Sequence, residues 1–228
     1  FPWKLGKLWV FNRKHIPKEK RKTEKQVILE KCLTAYCRNA ILILPRKKGK
    51  LKNKVYFLLA LQLNGFPRKR EKQGVFIMAV TISIFNQKGG VGKSTTASNL
   101  MAGLQLKKKK VLGIDIDPQG NLTKLCGVNT EDENTVLELL AGDATFIQTV
   151  KPTAFGDLLP SDRNLAGYER QFVADVSNVY AMKDIIEKNC TAYDFIIIDC
   201  PPNAGMITMS ALIASNYAIV PSEAEYFS

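Results

Sequence analysis

A chain of 228 residues is long enough for one domain with a substantial core plus an appendage, and 46% apolar with 24% charged residues excludes a wholly disordered chain and a membrane bundle. The formal charge of +12 is unevenly spread: residues 1–77 hold 21 Lys+Arg against 4 Asp+Glu, a balance of +17, whereas residues 78–228 hold 12 against 17, a balance of −5. A nucleic-acid or acidic-surface partner recruited by charge alone would therefore meet only the first third of the chain.

That first third opens on Phe1-Pro2-Trp3-Lys4, without an initiator Met or the order of a signal peptide, so a fragment boundary is expected there. Its basic clusters, Lys18 to Lys22, Arg46 to Lys54 and Arg68 to Lys72, are separated by short apolar stretches with no sustained period of 3.6 or 2.0. Only Gln26 to Leu33 could be stretched into an amphipathic helix, too little for a helix-turn-helix. The longest apolar runs, Ala40 to Leu44 and Val55 to Leu61, fall far short of the roughly 20 residues of a membrane span. Residues 1–77 thus read as a basic extension, poorly ordered or translated upstream sequence, and a domain of different composition opens at Met78. The five cysteines (Cys32, Cys37, Cys126, Cys190, Cys200) form no C-x-x-C pair, and His15 is the only histidine, which argues against a disulfide scaffold or zinc module and for a reducing, cytoplasmic setting.

From Met78 apolar strands alternate with helical patterns, the signature of a mostly parallel α/β sheet flanked by helices. Strands are predicted over Val80 to Phe85, Val111 to Ile116, Asp157 to Leu159, Phe195 to Ile198 and Ala218 to Val220. Helices are predicted over Ser94 to Leu106, Thr135 to Leu140, Val179 to Lys188 and Ile207 to Ala214. The strands are nearly continuous in Val, Ile and Phe, as expected when both faces of a sheet are covered.

Directly after the first of these strands stands Asn86-Gln87-Lys88-Gly89-Gly90-Val91-Gly92-Lys93-Ser94-Thr95-Thr96, and a helix follows at once. Glycines let the backbone turn its N–H groups inward, so that they and the helix N-terminus can hold the β- and γ-phosphates of a nucleotide. Lys93 adds a positive charge on those phosphates, and the Ser94 hydroxyl is placed to ligate Mg²⁺. The loop departs from G-x-x-x-x-G-K-[ST], because Gln87 stands where the first glycine belongs and Lys88 follows it. Taken alone, Lys88 reads as a solvated surface lysine.

Two further strands end in carboxylates. In Asp115-Ile116-Asp117-Pro118-Gln119-Gly120-Asn121, strand alternation puts Asp115 and Asp117 on one side, and Pro118 and Gly120 stop the strand so that Asp117 sits at its carboxyl end. The bland alternative is a plain Asp-Pro turn. In Phe195-Ile196-Ile197-Ile198-Asp199-Cys200-Pro201-Pro202, a buried strand terminates in one carboxylate, suited to a hard cation shared with Ser94. Cys200 has no histidine to activate it and reads as a packing residue.

The Lys88 to Ser94 loop resembles the deviant Walker A loop of the ParA/MinD group of P-loop ATPases, and Asp115 to Asn121, Asp199 to Pro202 and Ala218 to Phe227 are similar to further elements of that group. The resemblance spans residues 78–228 and implies a P-loop fold binding ATP and Mg²⁺. It implies nucleotide contacts from Lys88, Gly89, Gly90, Val91, Gly92, Lys93, Ser94 and Thr95. It implies metal contacts from Ser94 and Asp199, a water-orienting Asp117, and a Lys88 that reaches the partner's phosphates across an ATP-dependent homodimer. Asp115 stays a metal-shell or structural candidate.

The Asp-Pro-Gln-Gly-Asn and Ala-Glu-Tyr-Phe wording favours the ParA/Soj-type chromosome and plasmid partitioning ATPases, which implies non-specific DNA binding, association with the nucleoid and a ParB-like stimulating partner. Family members continue beyond the position of Ser228, so a C-terminally truncated and inactive form is one expectation. A non-catalytic nucleic-acid-binding protein acting through residues 1–77, or a MinD-like cell-division ATPase, are the alternatives.

Overall fold

A computed structural model describes residues 41–46 and 79–223 of the chain. The Met78 boundary, the basic clusters Lys18 to Lys22 and Arg68 to Lys72, the Gln26 to Leu33 stretch and Ala224 to Phe227 lie outside the described residues.

Strand β1 (Ile41–Arg46) is followed by β2 (Val80–Ile84), α1 (Lys93–Leu106), β3 (Val111–Asp115) and α2 (Asn121–Leu125). Then come α3 (Val136–Ala141), α4 (Phe146–Thr149), β4 (Lys151–Thr153), β5 (Gly156–Leu159) and α5 (Leu165–Phe172). A 3₁₀ turn (Val176–Tyr180), α6 (Ala181–Asn189), β6 (Phe195–Asp199), α7 (Met206–Ala214) and β7 (Tyr217–Glu223) complete the described chain. The strands form one sheet in the order β1-β7-β2-β6-β3-β5-β4. All neighbours run parallel except β4 and β5, which are antiparallel.

Period-two alternation explains how this sheet is covered on both faces. Ile82 and Ile84 of β2 and Ile197 of β6 join Ala97, Leu100, Met101 and Leu104 of α1 in one core. Ile196 and Ile198 of β6, with Leu112 and Ile114 of β3, join Phe172 of α5, Met182 and Ile186 of α6 and Ala211 and Leu212 of α7 in the other. Each fully buried Ile or Leu contributes about 1.5–3 kcal/mol. The result is a helix, sheet, helix sandwich with α1 alone against its stretch of one face. The α1 helix comes so close to β3 that a Cβ on Gly113 would stand 2.6 Å from the Met101 Sδ. A larger residue there would require the Met101 and Leu158 side chains to shift.

The predicted strands and helices from Val80 onward are all present, shifted by one or two residues at most termini. Besides the 3₁₀ turn, whose last two residues fall in the predicted Val179 to Lys188 helix, five elements were absent from the expectation. The short helices α2 and α4 carry too few apolar positions to show a period, whereas α5 carries a short helical stripe that residue order did hold, with Leu165 and Phe172 buried and Tyr168 packed against the same core. Strand β4, Lys-Pro-Thr, has no apolar alternation and is tolerated because it is an edge strand, where a proline without an N–H costs nothing. Strand β1 falls in the apolar run Ala40 to Leu44 of the basic extension and pairs with β7 from Ile41 opposite Ala218 to Arg46 opposite Glu223.

Candidate functional site: the carboxyl edge of the parallel strands

Because β2, β6 and β3 are parallel and adjacent, their carboxyl ends share one edge of the sheet, the place where open α/β sheets bind ligands. Register makes the row explicit: Ile84 of β2 lies opposite Asp199 of β6, which lies opposite Asp115 of β3. Asp199 follows Ile197 by two positions, so alternation turns its side chain to the face that α1 covers, toward the loop that leads into α1.

That loop is anchored at its start by Asn86, whose Nδ2 donates to the Pro221 carbonyl at 2.7 Å and whose Oδ1 accepts the Lys88 N–H at 2.9 Å. The second bond is an Asx turn, which sequence reasoning could have read from Asn86 alone. Gly90 and Gly92 take φ of +76° and +89°, conformations that side-chain-bearing residues rarely adopt. A Cβ on Gly89 or Gly90 would meet open space, so protein packing accounts for neither glycine. Gly92 caps α1 without a side-chain hydrogen bond and no acidic residue sits in the first turn, which leaves the positive end of the helix dipole to whatever the loop holds. Lys93 is only 7% exposed, and its Nζ reaches back across the loop to the Lys88 carbonyl at 3.3 Å.

The acids differ sharply from one another. Asp199 is fully buried and neither carboxylate oxygen completes a hydrogen bond within the described residues. Burial pushes its pKa well above the ordinary carboxylate value, and the neighbouring Asp115 charge adds to the rise, while the Ser94 hydroxyl and the Lys93 ammonium oppose it. Asp115, equally buried, is fully engaged: Oδ1 accepts the Asp117 N–H at 3.1 Å, and Oδ2 accepts the Thr123 N–H and hydroxyl at 2.8 Å each. Burial raises its pKa to about 6 in spite of those bonds. Between the metal-shell and structural alternatives, this geometry makes Asp115 a structural residue. Strand β3 stops at Asp115, so Asp117 is placed by the turn that follows and not by strand alternation; its carbonyl accepts the Gly120 N–H at 2.8 Å and its Oδ1 the Gln119 N–H at 2.9 Å. Cys200 is buried and its thiol is pushed up by burial and by Asp199, which keeps it protonated and inert.

The structure therefore brings Lys88, Lys93, Ser94, Asp117 and Asp199 to one edge, with Gly89 to Gly92 between them. An open loop of backbone donors at an uncapped helix end, a buried lysine and a buried orphan carboxylate are the parts of a site for a metal-bound polyphosphate. Among the described residues no three Asp, Glu, Cys or His side chains are grouped to cage a metal by themselves. The donor set is a hydroxyl and one carboxylate, which suits Mg²⁺ completing its shell with phosphate and water.

A family model described as an AAA domain matches residues 79–228. The sporulation initiation inhibitor protein Soj of Bacillus subtilis is 43% identical over 153 residues, 66% of this chain and 60% of that protein. The chain belongs to the ParA/Soj family of P-loop ATPases. Solved structures similar to this ParA/Soj-family chain include cobyrinic acid a,c-diamide synthase from Mycobacterium smegmatis with bound ADP and magnesium, at 37% identity and TM-score 0.61, covering 63% of this chain and 60% of that one. A plasmid partition protein from Borrelia burgdorferi bound to AMPPNP is 28% identical with TM-score 0.56, covering 66% of this chain and 65% of that one. The chain thus spans about three fifths of the length of the Soj protein it matches. No helix among the described residues is long and apolar enough to cross a membrane.

The orphan carboxylate has a measurable consequence for the ParA/Soj-family chain without nucleotide. A carboxyl whose folded pKa lies above its unfolded value binds more protons in the folded state, so stability falls as pH rises from about 4 through the folded value. In EDTA, Asp199→Asn is expected to raise the stability of the chain by about 1 kcal/mol or more at pH 8, with the gain shrinking toward pH 5. Urea unfolding midpoints at the two pH values check this.

Proposed function

We propose that this chain is an Mg²⁺-dependent ATP-binding and ATP-hydrolysing switch for DNA segregation, with residues 78–228 as its ATPase domain and residues 1–77 as a basic extension. The observation that carries the reading is the Asp199 carboxylate, buried without a partner beside Ser94 and Lys93 under an open glycine loop. A protein gains nothing from such a group in the empty state; its charge is matched only when a cation arrives.

In this reading the N–H groups of Gly89 to Ser94 and the Thr95 end of the first turn cradle the phosphates, and Lys93 exchanges its weak bond to the Lys88 carbonyl for the β- and γ-phosphates. Ser94 and Asp199 are the residues that would hold Mg²⁺, which when bound supplies charge neutralisation on the phosphate oxygens. Asp117 accepts a hydrogen bond from the attacking water and aligns it with the γ-phosphorus. Lys88 reaches the phosphates of a second copy and offsets charge that builds in phosphoryl transfer, so that ATP binding drives dimerisation and water then cleaves the bound ATP to ADP and phosphate within the dimer. Non-specific DNA binding by the dimer, a ParB-like stimulating partner and a nucleoid location in the cytoplasm complete the proposal. The name of the Borrelia relative, a plasmid partition protein, supports it.

Three substitutions separate the steps. Lys93→Ala is expected to weaken ATP binding at least about 100-fold by calorimetry, the loss of a charged phosphate contact being worth about 3 kcal/mol; undiminished affinity would remove the phosphate-loop assignment. Asp117→Ala is expected to keep ATP bound while single-turnover hydrolysis falls about 100-fold or more. Lys88→Ala is expected to bind ATP but to sediment as a monomer where the unaltered chain forms a dimer.

A further inference from the structure

The acidic edge contains a buried side chain that neither binds phosphate nor faces the water. Thr123, in α2, is 2% exposed. Its hydroxyl oxygen accepts the Ser161 N–H at 3.0 Å, and an N–H can only donate, so the single hydroxyl proton is directed to Asp115 Oδ2 at 2.8 Å. The Thr123 N–H adds a second bond to the same oxygen at 2.8 Å, and Asp115 Oδ1 accepts the Asp117 N–H at 3.1 Å. The order is thus fixed: Ser161 N–H, Thr123 hydroxyl, Asp115 carboxylate, Asp117 N–H. The turn from Asp117 to Thr123 is tied to Asp115 at both its ends.

A second observation places the same turn against the end of β5. Gly120 takes φ +58°, and a Cβ there would stand 3.0 Å from the Ser161 carbonyl oxygen. The carbonyl of the preceding Pro160 accepts the Val136 N–H at 2.8 Å, so the tether extends to the first residue of α3. The Asp117 turn is therefore built onto fixed structure on two sides.

We propose that Thr123 is a positioning residue for hydrolysis: by joining Asp115 to the β5 end it holds the Asp117 carboxylate where it can orient water. The inference rests on the reading of Asp117 given above. Thr123 acts through Asp115 and touches no substrate. Valine has the shape of threonine but neither donates nor accepts, so Thr123→Val breaks the relay at its centre.

With the full chain and saturating Mg·ATP, Thr123→Val is expected to lower kcat about tenfold while KM and the affinity for a non-hydrolysable ATP analogue stay within about twofold, the pattern of a lost transition-state interaction. Thr123→Ser keeps the hydroxyl and is expected to restore the rate. Thr123→Val turning over at the unaltered rate, Thr123→Ser as slow as the valine variant, or nucleotide affinity lost in step with turnover would each overturn the proposal. Should the valine variant fail to fold, amide hydrogen exchange of the unaltered chain without nucleotide decides. Slow exchange at Asp117, Thr123 and Ser161 supports the tether, and exchange as fast as an exposed loop overturns it. An unaltered chain that hydrolyses no ATP contradicts the ATPase reading instead, and the exchange measurement then decides the tether by itself.

Discussion

The arrangement depends on two aspartates placed side by side at the ends of adjacent parallel strands, in a part of the protein that excludes water. Like charges brought together in low dielectric repel, and each loses its hydration. The chain resolves this unequally. Asp115 is given three donors and becomes part of the scaffold, while Asp199 is left with none and keeps only the influence of Ser94 and Lys93. The fold satisfies one carboxylate completely and leaves its neighbour bare, and in the proposed reading that neighbour is matched by the cation. This asymmetry separates scaffold from site.

The rest of the edge keeps that unmatched carboxylate in register with the glycine loop. Parallel pairing sets Ile84, Asp199 and Asp115 in one row, so the loop that leaves β2 begins level with the two acids. Asn86 then pins the loop to the carbonyl of Pro221 on the far side of β2, and the absence of a side chain at Gly113 leaves room for Met101 of α1 against the sheet. Pairing of β2 with β6 and the bond from Asn86 to Pro221 thus set where the loop into α1 begins. A nucleotide phosphate bound there would meet donors already oriented, with little reorganisation to pay for.

Much of this was legible in residue order because it is local chemistry. A continuous Val/Ile run ending in an acid, a glycine run ahead of Lys-Ser-Thr, and Pro or Gly just past a strand each carry their geometry within a few residues. The helices with strong apolar faces were legible for the same reason. Helix α5 was missed although Leu165, Tyr168 and Phe172 recur at i, i+3 and i+7, because its eight residues hold only that one short stripe. Strand β4 was missed because an edge strand needs no alternation, and β1 because nothing in Ile41–Arg46 announces that its partner lies near residue 220. Thr123 carried no signal of its own: a threonine in a short helix acquires a role only when Asp115 and Ser161, eight residues before and thirty-eight after it, converge on its hydroxyl.

By itself the order of amino acids determined the α/β class, the strand, glycine loop and helix at the carboxyl edge, and the identity of the acids at the strand ends, because backbone conformation and alternation are properties of neighbouring residues. Which acid is satisfied and which is bare was decided only by the tertiary structure. That choice depends on donors that the turn after β3 and helix α2 fold back onto Asp115 and on the water excluded by two layers of helices, and desolvation is a property of the packed whole.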